Sequence, residues 1–264
     1  MTRILSALLL LPVVLGTIWF LPPVATLILA EIALVLAFLE YADLAARLDA
    51  TFPRVVAGVA TMACCAALGG WGAPTEAVLL AALVAVAAIA VGAGRIGPET
   101  LRGVAAALFA PLYLGLPLGA FVAVRTFHGR EAVLLLMLVV MASDTAQYYG
   151  GRLFGRRPLA PAISPKKTVE GAIAGIVTAP ILMLILGQRW LAGISATNLV
   201  LLGATVAALG IVGDLFESLL KRSAGVKDSS SLIPGHGGLL DRIDSWLFAA
   251  PAYYVFLRYG LVFS

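Results

Sequence analysis

Long apolar runs broken by short polar stretches set the pattern of this chain. Each run approaches the roughly 20 residues that a helix needs to cross a bilayer. Nine are predicted, at about 4–20, 24–40, 55–70, 77–94, 104–124, 132–149, 169–187, 197–215 and 245–263. Leu21-Pro22-Pro23 turns the first run into the second. The runs must be helical, because hydrocarbon cannot satisfy open backbone groups. The expected fold is all-α, a polytopic transmembrane helix bundle of about nine spans. It is read as one integral-membrane domain over 1–264, with N-terminal helical spans in 1–130 and the catalytic portion in 131–264. The first run outlasts a usual signal-peptide core and no A-x-A site closes it, so it is read as a retained helix.

Composition agrees with lipid as the solvent. Of 264 residues, 61% are hydrophobic and 12% charged, against about 25% charged in soluble domains. Cys64 and Cys65 are adjacent inside an apolar run. That spacing suits neither a zinc site nor a disulfide framework, and both read as small core or lipid-facing residues. Nine spans place Arg125, Arg130, Arg189 and Arg258 on one side and the other fourteen of the 18 Lys and Arg on the opposite side. The richer side is expected to be cytoplasmic. It holds the N-terminus and the loops near 41–54, 95–103, 150–168 and 216–244, with the C-terminus outside.

Three segments of that side concentrate the chemistry: 141–171, 213–225 and KDSSSLIPGHGGLLDRIDS at 227–245. Asp144 and Asp214 each end an apolar run. An ionisable group at such depth is costly, so function is the default reading; the plainer one is an interfacial carboxylate beside an Arg. Asp214, Glu217 and Lys221 stand at i, i+3 and i+7, one face of a helix. Asp241 and Asp244 stand at i, i+3 where a helix enters the last span. Carboxylates one turn apart, joined by others from separate helices, make a hard oxygen site of the kind Mg²⁺ takes. The plainer readings are the ion pairs Glu217–Lys221 and Asp241–Arg242.

Positive charge accompanies these acids. Lys166 and Lys167 follow Pro165, which sets a turn, and Thr168 precedes a helix expected from about 169. Hydroxyl, ammonium and helix N-terminus could all face an anion there. Lys221, Arg222 and Lys227 flank the later carboxylates. Cations beside anions suit a metal-bound polyphosphate. Gly235, Gly237 and Gly238 would let backbone N–H groups approach a ligand. His236 sits among them, able to donate to a phosphate, to move a proton, or simply to hold the loop.

Ser218-x-x-Lys221-Arg222-x₄-Lys227-Asp228-x₅-Pro234-x-His236-Gly237-Gly238-x-x-Asp241-Arg242-x-Asp244 resembles the signature of the phosphatidate cytidylyltransferase (CDP-diglyceride synthetase) family. Ser143-Asp144-Thr145-Ala146 and Ser164-Pro165-Lys166-Lys167-Thr168-x-Glu170-Gly171 are similar to that family's cytoplasmic segments. The similarity of motifs runs over about 141–245; the first 130 residues resemble the family only as hydrophobic spans. The resemblance implies transfer of CMP from CTP to phosphatidic acid, giving CDP-diacylglycerol and pyrophosphate. It implies Mg²⁺, with K⁺ as a second ion, a homodimer, the bacterial inner membrane, and no nucleic-acid partner. Asp144, Lys221, Lys227 and Asp241 would be catalytic; Asp144, Asp214, Asp241 and Asp244 would hold metal. Ser164, Lys166, Lys167, Thr168, Arg222, His236, Gly237, Gly238 and Arg242 would meet substrate phosphate.

The residue chemistry suits that reaction by itself. Two anionic phosphates must meet, so metal and cations are needed more than a base. Two rivals stand beside it: a CTP-dependent transferase acting on an isoprenoid lipid, and a membrane transporter. The second would show inverted repeats and midplane helix breaks. No internal repeat is visible, and the charges lie on one side.

Overall fold

The computed structural model describes residues 12–230 and 237–260. Residues 12–20 are helical and form α1. The helices that follow are α2 (Pro23–Arg47), α3 (Arg54–Leu68), α4 (Thr75–Ala93), α5 (Pro98–Ala110), α6 (Leu116–Phe154), α7 (Val169–Trp190), α8 (Ala196–Ser223) and α9 (Leu240–Tyr259). A π-helical turn, Pro111–Gly115, joins α5 to α6, at a proline whose missing N–H opens the hydrogen-bond ladder.

Among the described residues, five helical stretches are long and apolar enough to cross a membrane: Pro23–Arg47, Thr75–Ala93, Pro98–Phe154, Val169–Trp190 and Ala196–Ser223. α3, at 15 residues, is about 22 Å long by the helical rise, short of a hydrocarbon core of roughly 30 Å. Its sequence-predicted span, 55–70, is therefore a shorter apolar helix. Gly129, at φ 91° and ψ 177°, breaks α6 between the expected spans ending at 124 and beginning at 132. The all-α expectation needs one correction. Strands β1 (Pro158–Ala160) and β2 (Ser164–Thr168) pair antiparallel, with Pro158 opposite Thr168 and Ala160 opposite Ser164.

The chain forms two compact units. The first comprises Met1–Thr126 and Leu220–Arg242, the second Phe127–Leu219 and Ile243–Ser264. Segment 220–242, which carries much of the signature, thus belongs with the N-terminal spans.

In the first unit, α3 packs on α2, α4, α5 and the π turn. Between apolar helices in lipid, attraction comes from close packing, which small residues permit. A β-carbon on Gly115 would lie 2.5 Å from the Thr61 carbonyl oxygen, and one on Gly119 would lie 2.9 Å from that of Cys65. Cys64 and Cys65 are buried free thiols in this seam, as expected. Tyr41 donates to the Ala106 carbonyl at 2.8 Å and sits among Phe52, Phe109 and Tyr113.

In the second unit, glycines bring the site helices together. A β-carbon on Gly171 would lie 2.6 Å from the Gln147 carbonyl oxygen, and one on Gly175 would lie 2.9 Å from Ser143 Oγ. α7 therefore rides on the α6 segment that carries Asp144. Gly213 does the same for α8 and α9: a β-carbon there would overlap the Asp244 carbonyl oxygen.

Candidate active site

Each unit carries one polar constellation. In the second, Asp144 on α6 accepts from Gln147 Nε2 at 3.0 Å. Asp214, near the C-terminal end of the α8 apolar run, forms an ion pair with Lys167. Asp244 on α9 accepts from the Ser245 N–H at 2.7 Å, and the Ser245 side chain bonds Asp144. The Asp214 charge acts on both Asp144 and Asp244, and Lys167 offsets it at both. Three sequence-predicted carboxylates are thus gathered with one predicted ammonium.

The hairpin explains which lysine takes part. Residues 164–168 are extended rather than turned, correcting the turn expected at Pro165. Successive strand side chains point to opposite faces. Lys166 is exposed and Lys167 half-buried, so only one of the adjacent pair reaches the carboxylates. The strand feeds straight into α7. Thr168 caps that helix, its Oγ1 accepting from the Gly171 N–H at 3.1 Å. Glu170 Oε2 accepts from the N–H groups of Arg156 at 3.0 Å and Arg157 at 3.2 Å. The hairpin base is held by a carboxylate in the first turn of the helix it precedes.

In the first unit, Lys221 at the end of α8 pairs with Asp241 in the first turn of α9. Their side chains are only 11% and 8% exposed. To the pairings read from the sequence this adds one between helices, Lys221 with Asp241, and Glu217 is fully buried rather than lying on a helix surface. Asp241 Oδ2 also accepts from the Ser229 N–H at 3.1 Å and the Gly238 N–H at 2.8 Å. The second bond is the reach-back of a capping box, a first-turn acid binding a backbone N–H three residues earlier.

The sequence reading missed Glu40. This α2 residue is 5% exposed. Its carboxylate accepts from Ser230 Oγ at 2.7 Å, Ser229 Oγ at 2.9 Å, the Leu239 N–H at 2.9 Å and the Leu240 N–H at 2.8 Å. The signal was available: a Glu in the run LAFLEYADL is an ionisable group inside an apolar helix. Ser229 and Ser230 read only as loop polarity.

The glycines serve this network. A β-carbon on Gly238 would overlap Ser229 Oγ and the Glu40 carboxylate. Gly237 is at φ +80°, and a β-carbon there would lie 2.7 Å from Asp241 Oδ2, a backbone conformation glycine tolerates best. The Gly238 N–H, expected to meet substrate phosphate, is given to Asp241. Lys227, Arg222 and Arg242 are exposed, with one Arg222 nitrogen donating to the Val226 carbonyl at 3.3 Å. Ser164 is half-buried at the start of β2. His236 lies outside the described residues.

Among the described residues, no group of three or more His, Cys, Asp or Glu is placed so that it could hold a metal ion by itself. Mg²⁺ does not need one: it takes one or two carboxylates and completes its shell with water and substrate phosphate. In the second unit the carboxylates outnumber the ammonium, and all donors are hard oxygens. That set fits a divalent cation arriving with a polyphosphate. Asp241 differs, with one oxygen on Lys221 and the other on Ser229 and Gly238. A cavity of about 280 Å³ in the first unit, between Phe52, Val86, Arg95 and Thr100, is lined by none of the predicted site residues.

Comparison with known proteins gives this geometry a family. A phosphatidate cytidylyltransferase from Helicobacter pylori is 38% identical over 188 residues, 71% of this chain and 67% of that protein. One from Haemophilus influenzae is 45% identical over 144 residues, 51% of this chain and 48% of its own. One from Bacillus subtilis is 39% identical over 150 residues, 56% of each. The chain thus spans from about half to two thirds of the length of these relatives. The cytidylyltransferase family matches residues 1–260. With its signature acids and lysines paired, and the match running through nearly every helix, the chain belongs to the cytidylyltransferase family.

Proposed function

We propose that this chain is a phosphatidate cytidylyltransferase, transferring CMP from CTP to phosphatidic acid to give CDP-diacylglycerol and pyrophosphate. The observation that carries the reading is the pairing of predicted site lysines with predicted site acids, Lys167 with Asp214 and Lys221 with the signature residue Asp241. Both pairs stand beside helix ends, where phosphates can reach them. Relatives bearing that name support the same activity.

A phosphatidate oxygen attacks the α-phosphorus of CTP. The new P–O bond forms as the bond from the α-phosphorus to the oxygen bridging it to the β-phosphate breaks, and pyrophosphate leaves. The attacking monoester is already largely ionised at neutral pH, so the protein's task is charge and position. Lys221, with Lys227, Arg222 and Arg242 around it, meets the triphosphate, while Asp241 holds the Lys221 ammonium in place. Lys167 and Lys166 neutralise substrate phosphate at the hairpin. Asp144, Asp214 and Asp244 would hold Mg²⁺, which when bound supplies charge neutralisation of the phosphates. K⁺ as a second ion belongs to the same proposal.

The chain is a multi-pass membrane protein with about nine crossings in the bacterial inner membrane. What supports a multi-pass chain is five helical stretches long and apolar enough to cross among the described residues, one of which, Pro98–Phe154, covers two of the expected spans. The excess of Lys and Arg on one side supports cytoplasmic placement of loops 41–54, 95–103, 150–168 and 216–244. The working form is a homodimer.

The test is pyrophosphate and CDP-diacylglycerol formation by the purified protein in detergent. Product requiring CTP, phosphatidic acid and Mg²⁺ together is expected. Silence with phosphatidic acid and turnover with an isoprenoid phosphate would replace the lipid substrate.

A further inference from the structure

We propose that Glu40 is a positioning residue for cytidylyl transfer: its carboxylate fixes the first turn of α9 against α2 and so sets where Asp241 holds Lys221. The proposal rests on the phosphatidate cytidylyltransferase reading above.

A plain helix cap does not account for Glu40. The first N–H groups of a helix need partners, and a Ser, Thr, Asp or Asn at the cap itself supplies one cheaply. α9 opens instead with Gly238-Leu239-Leu240, and the N–H groups of Leu239 and Leu240 turn to a carboxylate about 200 residues earlier. Burying a carboxylate costs several kcal/mol unless it is fully hydrogen-bonded. A cap of this kind holds the helix at one place, which a local cap cannot do.

The geometry leads from Glu40 to Asp241. Ser229 Oγ lies 2.9 Å from Glu40 Oε2 and 2.9 Å from Asp241 Oδ2. A hydroxyl has one proton, so the two carboxylates share it. The opposite Asp241 oxygen bears Lys221. Gly238 leaves just the space that Ser229 and Glu40 fill. One relay therefore runs Glu40, Ser229, Asp241, Lys221, and its last member is the ammonium assigned to the triphosphate. Moving the first turn of α9 would move that ammonium's partner while leaving the hairpin and its Lys167 untouched, so the effect falls on the nucleotide.

Glu40→Gln keeps the shape and replaces one acceptor oxygen by an NH₂ donor, which opposes the donors now facing it. The purified wild type and variant are compared by hydrogen exchange of the peptide covering 237–245 and by steady-state kinetics with each substrate varied. Faster exchange in that peptide is expected. The KM for CTP should rise about 10-fold and kcat should fall by a similar factor, while the KM for phosphatidic acid stays within about 2-fold. A loss of folded protein alone would leave both KM values unchanged. Ser229→Ala added to Glu40→Gln should cost less than about 2-fold more, because both act on one relay.

Unchanged exchange, or faster exchange with an unchanged KM for CTP, overturns the proposal. If Glu40→Gln does not yield folded protein, Ser230→Ala removes one of the four donors and reads the same quantities; a KM for CTP equal to wild type would then overturn it. A wild type that binds CTP yet makes no CDP-diacylglycerol would sink the enzyme reading instead, while the exchange comparison would still report on the anchoring of α9.

Discussion

Gly213 lies so close to the carbonyl oxygen of Asp244 that a β-carbon at 213 would overlap it. The contact seats the α9 backbone on α8 one residue from Asp214. It makes a residue without chemistry a determinant of where two carboxylates stand. Gly213→Ala must push α9 away or distort it, at about 1–3 kcal/mol for overpacking. The expected result is a lower Tm in detergent and turnover reduced more than the Tm shift explains. Gly92→Ala is the control. A β-carbon there meets nothing within 4 Å, and alanine favours a helix by up to about 1 kcal/mol, so its Tm should hold or rise.

The two hairpin lysines should differ. Lys167 pairs with Asp214, whereas Lys166 is exposed on the other face of β2. Lys167→Met is expected to lower kcat/KM by about 10²–10³, the usual cost of removing one preorganised charge from a reacting phosphate. Lys166→Met should cost less than about 10-fold, most of it restored at low salt. Equal losses would show that the strand's alternation does not govern their roles.

Asp241 and Asp144 should separate stability from chemistry. Asp241 pairs with a nearly buried Lys221 and binds Ser229 and Gly238. Removing one partner of such a pair costs about 3–5 kcal/mol, so Asp241→Asn should lose turnover and thermal stability together. Asp144 accepts from Gln147 and the Ser245 side chain and reaches the surface. Asp144→Asn keeps that acceptor, and we expect a nearly unchanged Tm with turnover lost. Thermal melts and Mg²⁺-dependent product formation on the same samples decide it.

Glu170 predicts a local effect. Its carboxylate closes the base of the hairpin through the Arg156 and Arg157 N–H groups. Glu170→Gln retains one acceptor and loses the charge, weakening both bonds. Trypsin should cut faster after Arg156, with a modest fall in activity. Unchanged cleavage would show that the strand pairing alone holds the loop.

The helices were legible because apolar runs repeat a length set by the bilayer, and because Gly and Pro mark their ends. The acids Asp144, Asp214 and Asp244 were legible for a related reason: a carboxylate ending an apolar run has to be accounted for. The pairings were not. Lys221 has Glu217 one turn away on its own helix, so sequence spacing offered that partner, while its partner Asp241 comes from another helix, which no spacing within one helix reveals. β2 was hidden because three residues of strand facing five, with a proline inside, carry too short an alternation to read. Glu40 escaped for a third reason. Its four donors lie about 190 to 200 positions later, a separation over which no pattern in one sequence connects them.

That separation also bears on how the protein is made. Glu40 enters the membrane with α2 early in synthesis, and every donor described for it comes after residue 228. At ribosomal rates of about 5–20 residues per second, the carboxylate waits on the order of 10–40 s for its partners. During that interval α2 is an unfinished span with an unsatisfied acid near its C-terminal end. A nascent chain stalled before residue 229 should therefore be held by the insertion machinery or degraded, and release of α2 into lipid should coincide with the emergence of Ser229 through Leu240.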